Sequence, residues 1–325
     1  MKAAMFDAEL GDDVFGQDPS VNALQEKAAS LFGMEGALFC PSGTMTNQIA
    51  FKVSTQPMEM AILDTTAHPY RYEGGGLAFT SGLTAGLLDG KRGIFTAEQV
   101  VARLNPVNDP HQPPASIVSV ENTCNKGGGA VFPYAEILRI RKVCDEHGLH
   151  LHLDGARLFN AIVASDQQPK DFGKVFDTIS ICLSKGLGAP VGSLLLGSAE
   201  KIEKAKRVRK VLGGGMRQAG FLAAAGIYAL DHQVERLVVD HTRAKALGTE
   251  VEQLPYVESL YPVETNILVF KLKADVSAAA VLQHLEAKGV LAVPFGGQYL
   301  RFVTHLDVTD GMIDFVIAAC KSFQP

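Results

Sequence analysis

The chain has no C-x-x-C pair, no excess of basic residues and no long apolar run. Its five cysteines, Cys40, Cys124, Cys144, Cys182 and Cys320, are odd in number and far apart. That argues against a disulfide framework or a zinc ribbon and points to a reducing compartment, so a cytoplasmic location is expected. Lys and Arg total 30 against 35 Asp and Glu, a formal charge of −5. A phosphate-binding surface for nucleic acid normally carries a basic excess, so no nucleic-acid partner is expected. No apolar stretch reaches the ~18 residues of a membrane span. The first residues, MKAAMFDAELGDDVFG, contain no apolar h-region and do not read as a signal peptide. There is no G-X-Y period, no Walker A ending and no G-x-G-x-x-G, which removes collagen and the two commonest nucleotide loops.

What the chain does have is 325 residues, 47% of them hydrophobic, and 32 glycines. Its length predicts two domains, and its apolar share is ample for their cores. Short apolar strands alternate with helices along most of it. A helix is predicted at Pro19–Phe32, with Val21, Leu24, Ala28, Leu31 and Phe32 on one face and Gly33 as its stop. Strands are predicted at 37–40, 59–64, 116–121, 150–154, 178–183 and 192–197, and helices from Thr44, from Pro133 to His147 and over 199–212. This alternation predicts an α/β fold with a mostly parallel sheet covered on both faces. Beyond residue 240 the texture becomes that of a smaller α/β layer, with strands at 265–271, 290–293 and 300–304 and helices at 276–288 and 309–323. The boundary falls in the helical stretch 233–253, giving a large domain over 1–240 and a small one over 241–325.

Ligands of α/β sheets sit at the carboxyl ends of the strands. The polar residues that directly follow predicted strands are therefore the candidates. They are Ser42-Gly43-Thr44, Asp64 with His68, Glu121-Asn122, Asp154 with Arg157, and Ser184-Lys185-Gly186. CPSGTMTN (40–47) is either an ordinary capped helix start or a phosphate cradle of backbone N–H groups and hydroxyls. Lys185 leaves an apolar strand into a glycine-proline loop. It is either a plain strand-exit lysine or an amine made nucleophilic for Schiff-base chemistry by its apolar setting. His150, His152 and Asp154 share one strand face by their period of two. A metal site there lacks a third ligand and a cysteine pair, so Asp154 reads better as the carboxylate that holds a protonated ring nitrogen. Pyridoxal phosphate needs an amine, a carboxylate for its pyridine nitrogen, a phosphate cradle and a ring stacked on its face. Lys185, Asp154, Ser42-Gly43-Thr44 and His68 match these needs.

Across nearly its whole length the sequence resembles the L-threonine aldolase family, whose members have the PLP-dependent fold type I. The resemblance is carried by GDDVFGQDPSVNALQEKAASLFG (11–33), PSGTMTNQIA (41–50), AHPYRYEGGGLAFTSG (67–82), ENTCNKGGG (121–129), HLDGARLFNA (152–161), LSKGLGAPVGS (183–193), RKVLGGGMRQAG (209–220) and LRFVTHLDVT (300–309). It implies that Lys185 is the Schiff-base lysine, that Asp154 faces the pyridine nitrogen and that Arg157 contacts the ring 3-oxygen. His68 would stack on the ring and is the candidate base, and Ser42, Gly43 and Thr44 would bind phosphate. Arg301 would clamp the substrate carboxylate as a bidentate pair. Lys210 and Arg217, flanking Gly213–Gly215, would lie near the site across a subunit boundary, in a homodimer or homotetramer with shared sites. The implied reaction cleaves L-threonine, L-allo-threonine or related β-hydroxy-α-amino acids to glycine and an aldehyde. The alternatives are a β-eliminating lyase of the same fold and a catalytically impaired PLP-binding protein. The latter follows because the resemblance begins downstream of a family strand, roughly DLRSDT, that reaches the substrate carboxylate. Phe15 replaces a tyrosine of the GDDVYG motif. Cys124 replaces the histidine of ENTH, which implies a changed preference at the β-carbon. The remaining histidines His111, His147, His232, His241 and His284 read as surface groups, and 201–210 as a solvated charged helix face.

Overall fold

Ile117, Val118 and Val120, Leu151 and Leu153, and Ile179 and Ile181 are all buried in the computed structural model, which describes residues 1–324. Side chains on both faces of these strands are therefore covered, as in a sheet flanked by helices. The main sheet has seven strands: β1 (Gly36–Cys40), β2 (Met60–Asp64), β3 (Thr84–Leu88), β4 (Ala115–Glu121), β5 (His150–Gly155), β6 (Thr178–Cys182) and β7 (Ser193–Gly197). Their order is β1-β7-β6-β5-β4-β2-β3. Pairs from β3 through β6 are parallel, while β7 runs antiparallel to both β6 and β1. The β6–β7 connection, residues 183–192, is shorter than the dozen or so residues that a parallel crossover needs. The chain must turn back on itself there, and Lys185 sits in that turn.

The helix Pro19–Phe32 forms as its sequence predicts. The Asp18 side chain accepts from Val21 N–H at 3.0 Å, Pro19 occupies the first turn and Gly33 closes the end in the left-handed region. Such a cap contributes about 1 kcal/mol. The helix buries Val21, Leu24, Ala28, Ala29 and Phe32. Helix Gly43–Ser54 begins at Ser42, whose Oγ accepts from Met45 N–H at 3.2 Å. It packs so close to β6 that a Cβ at Gly43 would fall 2.6 Å from Cys182 Sγ. Only glycine lets the helix start there.

A second sheet, antiparallel throughout, joins β8 (Val257–Leu260), β9 (Ile267–Leu272), β10 (Val293–Gly296) and β11 (Tyr299–Val303) in the order β10-β11-β9-β8. Helices Leu237–Glu252, Ala278–Ala287 and Asp310–Lys321 contribute to its own core with Leu247, Val251, Phe270, Leu285, Leu300 and Phe302.

Several elements depart from expectation. β3 and β8 have no counterpart in the sequence reading. The strand expected at 290–293 starts only at Val293, because Val290 N–H donates to Leu285 O at 2.9 Å and Gly289, at φ +77°, ends the preceding helix. That pair of features is a helix cap, not a strand. His241 is not a surface group: it is 5% exposed, against Asn160 Nδ2 at 3.1 Å. Arg209 is not on a solvated face either. It is buried between Phe39 O at 2.7 Å and Asp13 Oδ2 at 2.8 Å, in line with Ile202 and Ala205 on the inner stripe of its helix.

Candidate active site

The carboxyl ends of β4, β5 and β6 converge, and each delivers a polar side chain. Asp154 stands next to the last residue of β5 and is buried. It accepts from Asn47 Nδ2 at 3.1 Å and from Ala156 N–H at 3.2 Å. Glu121 closes β4, and its carboxylate accepts two backbone hydrogens, from His68 at 2.8 Å and Asn125 at 2.8 Å. Burial, with Asp154 close by, nevertheless pushes the Glu121 carboxyl up to about 7. Lys185, half-buried in the turn after β6, is near enough for its ammonium to act on both His68 and Cys182.

His68 opens the short helix His68–Arg71, and its Nδ1 lies 2.9 Å from Glu73 Oε1. That hydrogen bond raises the imidazole above its ordinary range; burial opposes the rise, Asp154 adds to it and Lys185 works against it. Two guanidiniums complete the cluster. Arg157 Nη1 and Arg301 Nη1 reach the same oxygen, Asn125 Oδ1, at 3.5 and 2.9 Å. Burial holds both groups below the usual guanidinium range, and Arg301 adds like-charge repulsion on Arg157. Among the described residues neither arginine has a carboxylate within ion-pair distance, and neither has Lys185. Arg301 Nε is buried with no partner at all.

The structure thus brings Lys185, Asp154, His68, Arg157 and Arg301 together. Ser42, Gly43 and Thr44 form the N-terminal turn of their helix one strand away, with Gly43 against Cys182 of β6. Cys124 is 2% exposed; its thiol donates to Glu121 O at 3.1 Å and faces Gly93. Lys210 is exposed and lines a separate cleft with Asp13, Phe15 and Arg209, and Arg217 pairs with Asp12. Asp64 turns away from the cluster to hold Thr66 N–H and Gly90 N–H, each at 2.8 Å.

Sequence reasoning missed Glu73, Asn47 and Asn125, and weighed His152 only as a metal ligand. Glu73 is buried among His68, Asn47 Nδ2 (2.8 Å) and Gln48 Nε2 (2.6 Å). An acid five residues after a candidate histidine, within HPYRYE, is the one signal that could have marked it.

The family described as beta-eliminating lyase matches residues 1–275. The low specificity L-threonine aldolase of Escherichia coli is 40% identical over 99% of this chain and 95% of its own length. The low-specificity L-threonine aldolase 1 of Arabidopsis thaliana is 36% identical over 98% of this chain and 90% of its own. Among solved structures, the threonine aldolase of Leishmania major superposes with a TM-score of 0.83 at 21% identity, covering 94% of this chain and 90% of that one. A serine palmitoyltransferase of Sphingomonas wittichii gives 0.75 at 16% identity, over 99% and 81%. At such low identity these two likenesses speak for the fold alone. The family match and the curated relatives, spanning almost the entire chain, place it in the beta-eliminating lyase family, among the low-specificity L-threonine aldolases.

Proposed function

We propose that this chain is a pyridoxal-phosphate-dependent aldolase. It cleaves L-threonine, L-allo-threonine or related β-hydroxy-α-amino acids to glycine and an aldehyde. The observation that carries the reading is electrostatic. Lys185, Arg157 and Arg301 converge without a carboxylate partner, beside a buried acid, Asp154, and an imidazole, His68. Cations at a buried site with no carboxylate in direct contact favour an anionic occupant between them. Pyridoxal phosphate together with an amino-acid substrate offers a phosphate, a phenolate oxygen and a carboxylate, along with a basic ring nitrogen for Asp154. The donor set fits the group.

When bound, the cofactor supplies an electron-poor ring that accepts the electron pair left at Cα as the Cα–Cβ bond breaks. The side chains do the rest. Lys185 would supply the amine that holds the cofactor aldehyde. Asp154, fixed by Asn47, offers a carboxylate oxygen to the ring nitrogen and keeps it protonated. His68 would cover the ring face, and Arg157 would meet the ring 3-oxygen. The backbone N–H groups and hydroxyls of Ser42, Gly43 and Thr44 hold the phosphate at the start of their helix. Arg301 would grip the substrate carboxylate and so fix the orientation of the substrate Cα. His68, or a water it holds, takes the β-hydroxyl proton. Cys124 and Lys210 complete the substrate side, Lys210 from a neighbouring subunit.

That last assignment requires a homodimer or homotetramer. It is supported by Phe79 and Val211, 91% and 82% exposed, which line one apolar groove between the helices 43–54 and 199–211. The large and small domains divide at about residue 240, within helix Leu237–Glu252. No helix among the described residues is long and apolar enough to cross a membrane, and with five free cysteines the reading is of a cytoplasmic enzyme.

The test is a product assay on purified holoenzyme. Threonine should yield glycine and acetaldehyde in equal amounts, with a borohydride-sensitive visible absorbance that Lys185→Ala abolishes together with turnover. Serine converted to pyruvate and ammonia, with no glycine from threonine, would make the protein a β-eliminating lyase instead. Absence of the absorbance from the unmodified protein would overturn the cofactor assignment.

A further inference from the structure

Glu73 lies just behind the cofactor-facing residues and has no role in the mechanism above, where Asn47 enters only as a hydrogen-bond donor to Asp154. The Glu73 side chain has no exposed surface. Burying a carboxylate is costly unless its oxygens are well supplied with hydrogens. No lysine or arginine supplies them among the described residues; His68 Nδ1 and Asn47 Nδ2 meet Oε1 at 2.9 and 2.8 Å, and Gln48 Nε2 meets Oε2 at 2.6 Å. The same Asn47 Nδ2 reaches Asp154 Oδ2 at 3.1 Å.

Donor and acceptor bookkeeping then fixes the whole chain of contacts. A carboxylate only accepts, so the amide nitrogen of Asn47 must face Glu73 and Asp154. Its oxygen is left to face His152 Nε2, at 3.1 Å, and that nitrogen must carry the hydrogen. His152 Nδ1 then accepts from the Thr178 hydroxyl at 2.9 Å. This is a neutral imidazole, and burial pushes His152 down to about 4, consistent with that form. Thr178 and His152, both fully buried in the sheet, therefore lock the orientation of Asn47.

We propose that Glu73 and Asn47 are positioning residues of this site. Glu73 takes the Nδ1 hydrogen of His68 and fixes the ring that covers the cofactor. Asn47 gives one amide hydrogen to each of Glu73 and Asp154, so that two carboxylates with oxygens within 4.8 Å of each other both remain acceptors. Without an amide between them, two such carboxylates relieve their repulsion by sharing a proton. Asp154 would then meet the ring nitrogen with less than a full charge. The inference rests on the assignment of Asp154 and His68 to the cofactor. The charged groups around His68 are Glu73, Asp154 and Glu121 on the acidic side and Lys185 on the basic side.

The experiment titrates the visible Schiff-base absorbance of holoenzyme against pH for wild type, Glu73→Gln and Asn47→Asp. The cofactor dissociation constant and melting temperature of each are measured alongside. Glu73 raises His68, so Glu73→Gln should move the acid limb of kcat/KM to lower pH. Asn47→Asp adds a third acid where the amide was. It should move the absorbance titration to higher pH and weaken cofactor binding about tenfold. If the aspartate form does not fold, Asn47→Ser, which removes the amide without adding charge, should weaken binding in the same direction. A purely structural role would lower the melting temperature and leave both pH midpoints in place. A wild-type absorbance with unshifted midpoints in the variants overturns this inference alone. A wild type with no borohydride-sensitive absorbance overturns it together with the cofactor reading.

Discussion

The two ends of β5 are built from the same residue types and finish with opposite electrostatics. At the amino end, Asp177 accepts from Arg141 Nη1 at 2.8 Å and from Leu151 N–H at 2.7 Å, with His150 Nδ1 at 3.5 Å. Arg141 pairs again with Asp145 at 2.8 Å and donates to Leu149 O and Val175 O. At the carboxyl end, 154–157, two guanidiniums share one neutral amide oxygen, and among the described residues neither has a carboxylate within ion-pair distance. A cluster whose cations meet carboxylates is compensated in charge, although Arg141 Nε and His150 Nε2 are buried without hydrogen-bond partners. A cluster whose cations are brought together without a carboxylate in contact, with acids only nearby, leaves room for an anion between them. Charge satisfaction, more than the presence of His, Arg and Asp, separates the structural end of the strand from the functional one.

Arg301→Leu is the strongest challenge to that contrast. If Arg301 meets the substrate carboxylate, its loss should lower kcat/KM for threonine by about 10²–10³-fold, the size expected for one partner of a buried charge pair. Removing a like charge from beside Arg157 should at the same time leave the melting temperature unchanged or raise it. Steady-state kinetics and a melting curve on one preparation test both halves. A loss below tenfold would show that the unpaired guanidinium is not aimed at substrate.

Asp177→Ala tests the other end. It strips Arg141 and Leu151 N–H of a shared acceptor, which should cost about 2 kcal/mol in denaturant unfolding. The site lies at the far end of the strand, so kcat/KM of the folded protein should stay within about twofold of wild type. A larger kinetic effect would mean that the two ends are coupled through β5, and the contrast drawn above would fail.

The sequence revealed the carboxyl end of the sheet better than anything behind it, for a physical reason. A polar residue directly after an apolar run is visible in one dimension, and Asp154, Lys185 and Glu121 all stand in that position. Glu73 is different. An acid between Tyr72 and a glycine triplet looks like part of a solvated loop, and only the folded chain shows that its side chain is buried. Asn47 lies inside a helix, where an amide leaves no periodic mark. Arg209 is hidden by its neighbours Lys204, Lys206, Arg207 and Lys210, although its spacing of seven from Ile202 and four from Ala205 is helical and marks the inner stripe. His241 shares the buried side of its helix with Leu237 and Ala244, a pattern that was also legible. β3 was missed because Thr-Ala-Gly-Leu-Leu carries one glycine and no β-branched apolar residue. β8 was missed because four residues at a sheet edge, with two of them exposed, offer almost no pattern.

Cys124 belongs to neither end, since it is neutral and buried, and its effect should be the smallest. Its thiol donates to Glu121 O, and its neighbours in a small enclosed cavity include Asp64, Thr66 and Gly93. A Cβ at Gly93 would already come within 3.2 Å of Sγ, so an imidazole at 124 must push the 92–93 loop outward or turn toward Asn125 and the arginines. In the first case it costs about 1–3 kcal/mol of stability by overpacking and leaves selectivity alone. In the second it places a hydrogen-bonding ring on the substrate side, and the ratio of threonine to allo-threonine cleavage should change about three- to tenfold. The second outcome is expected, because Asn125 follows directly and its N–H already ties this turn to Glu121 at 2.8 Å, on the same side as His68. Relative rates on both substrates, with Cys124→Ser as the shape-preserving control, decide between them. An unchanged ratio in Cys124→His would assign the thiol to packing and leave discrimination at the β-carbon to His68 and the residues around it.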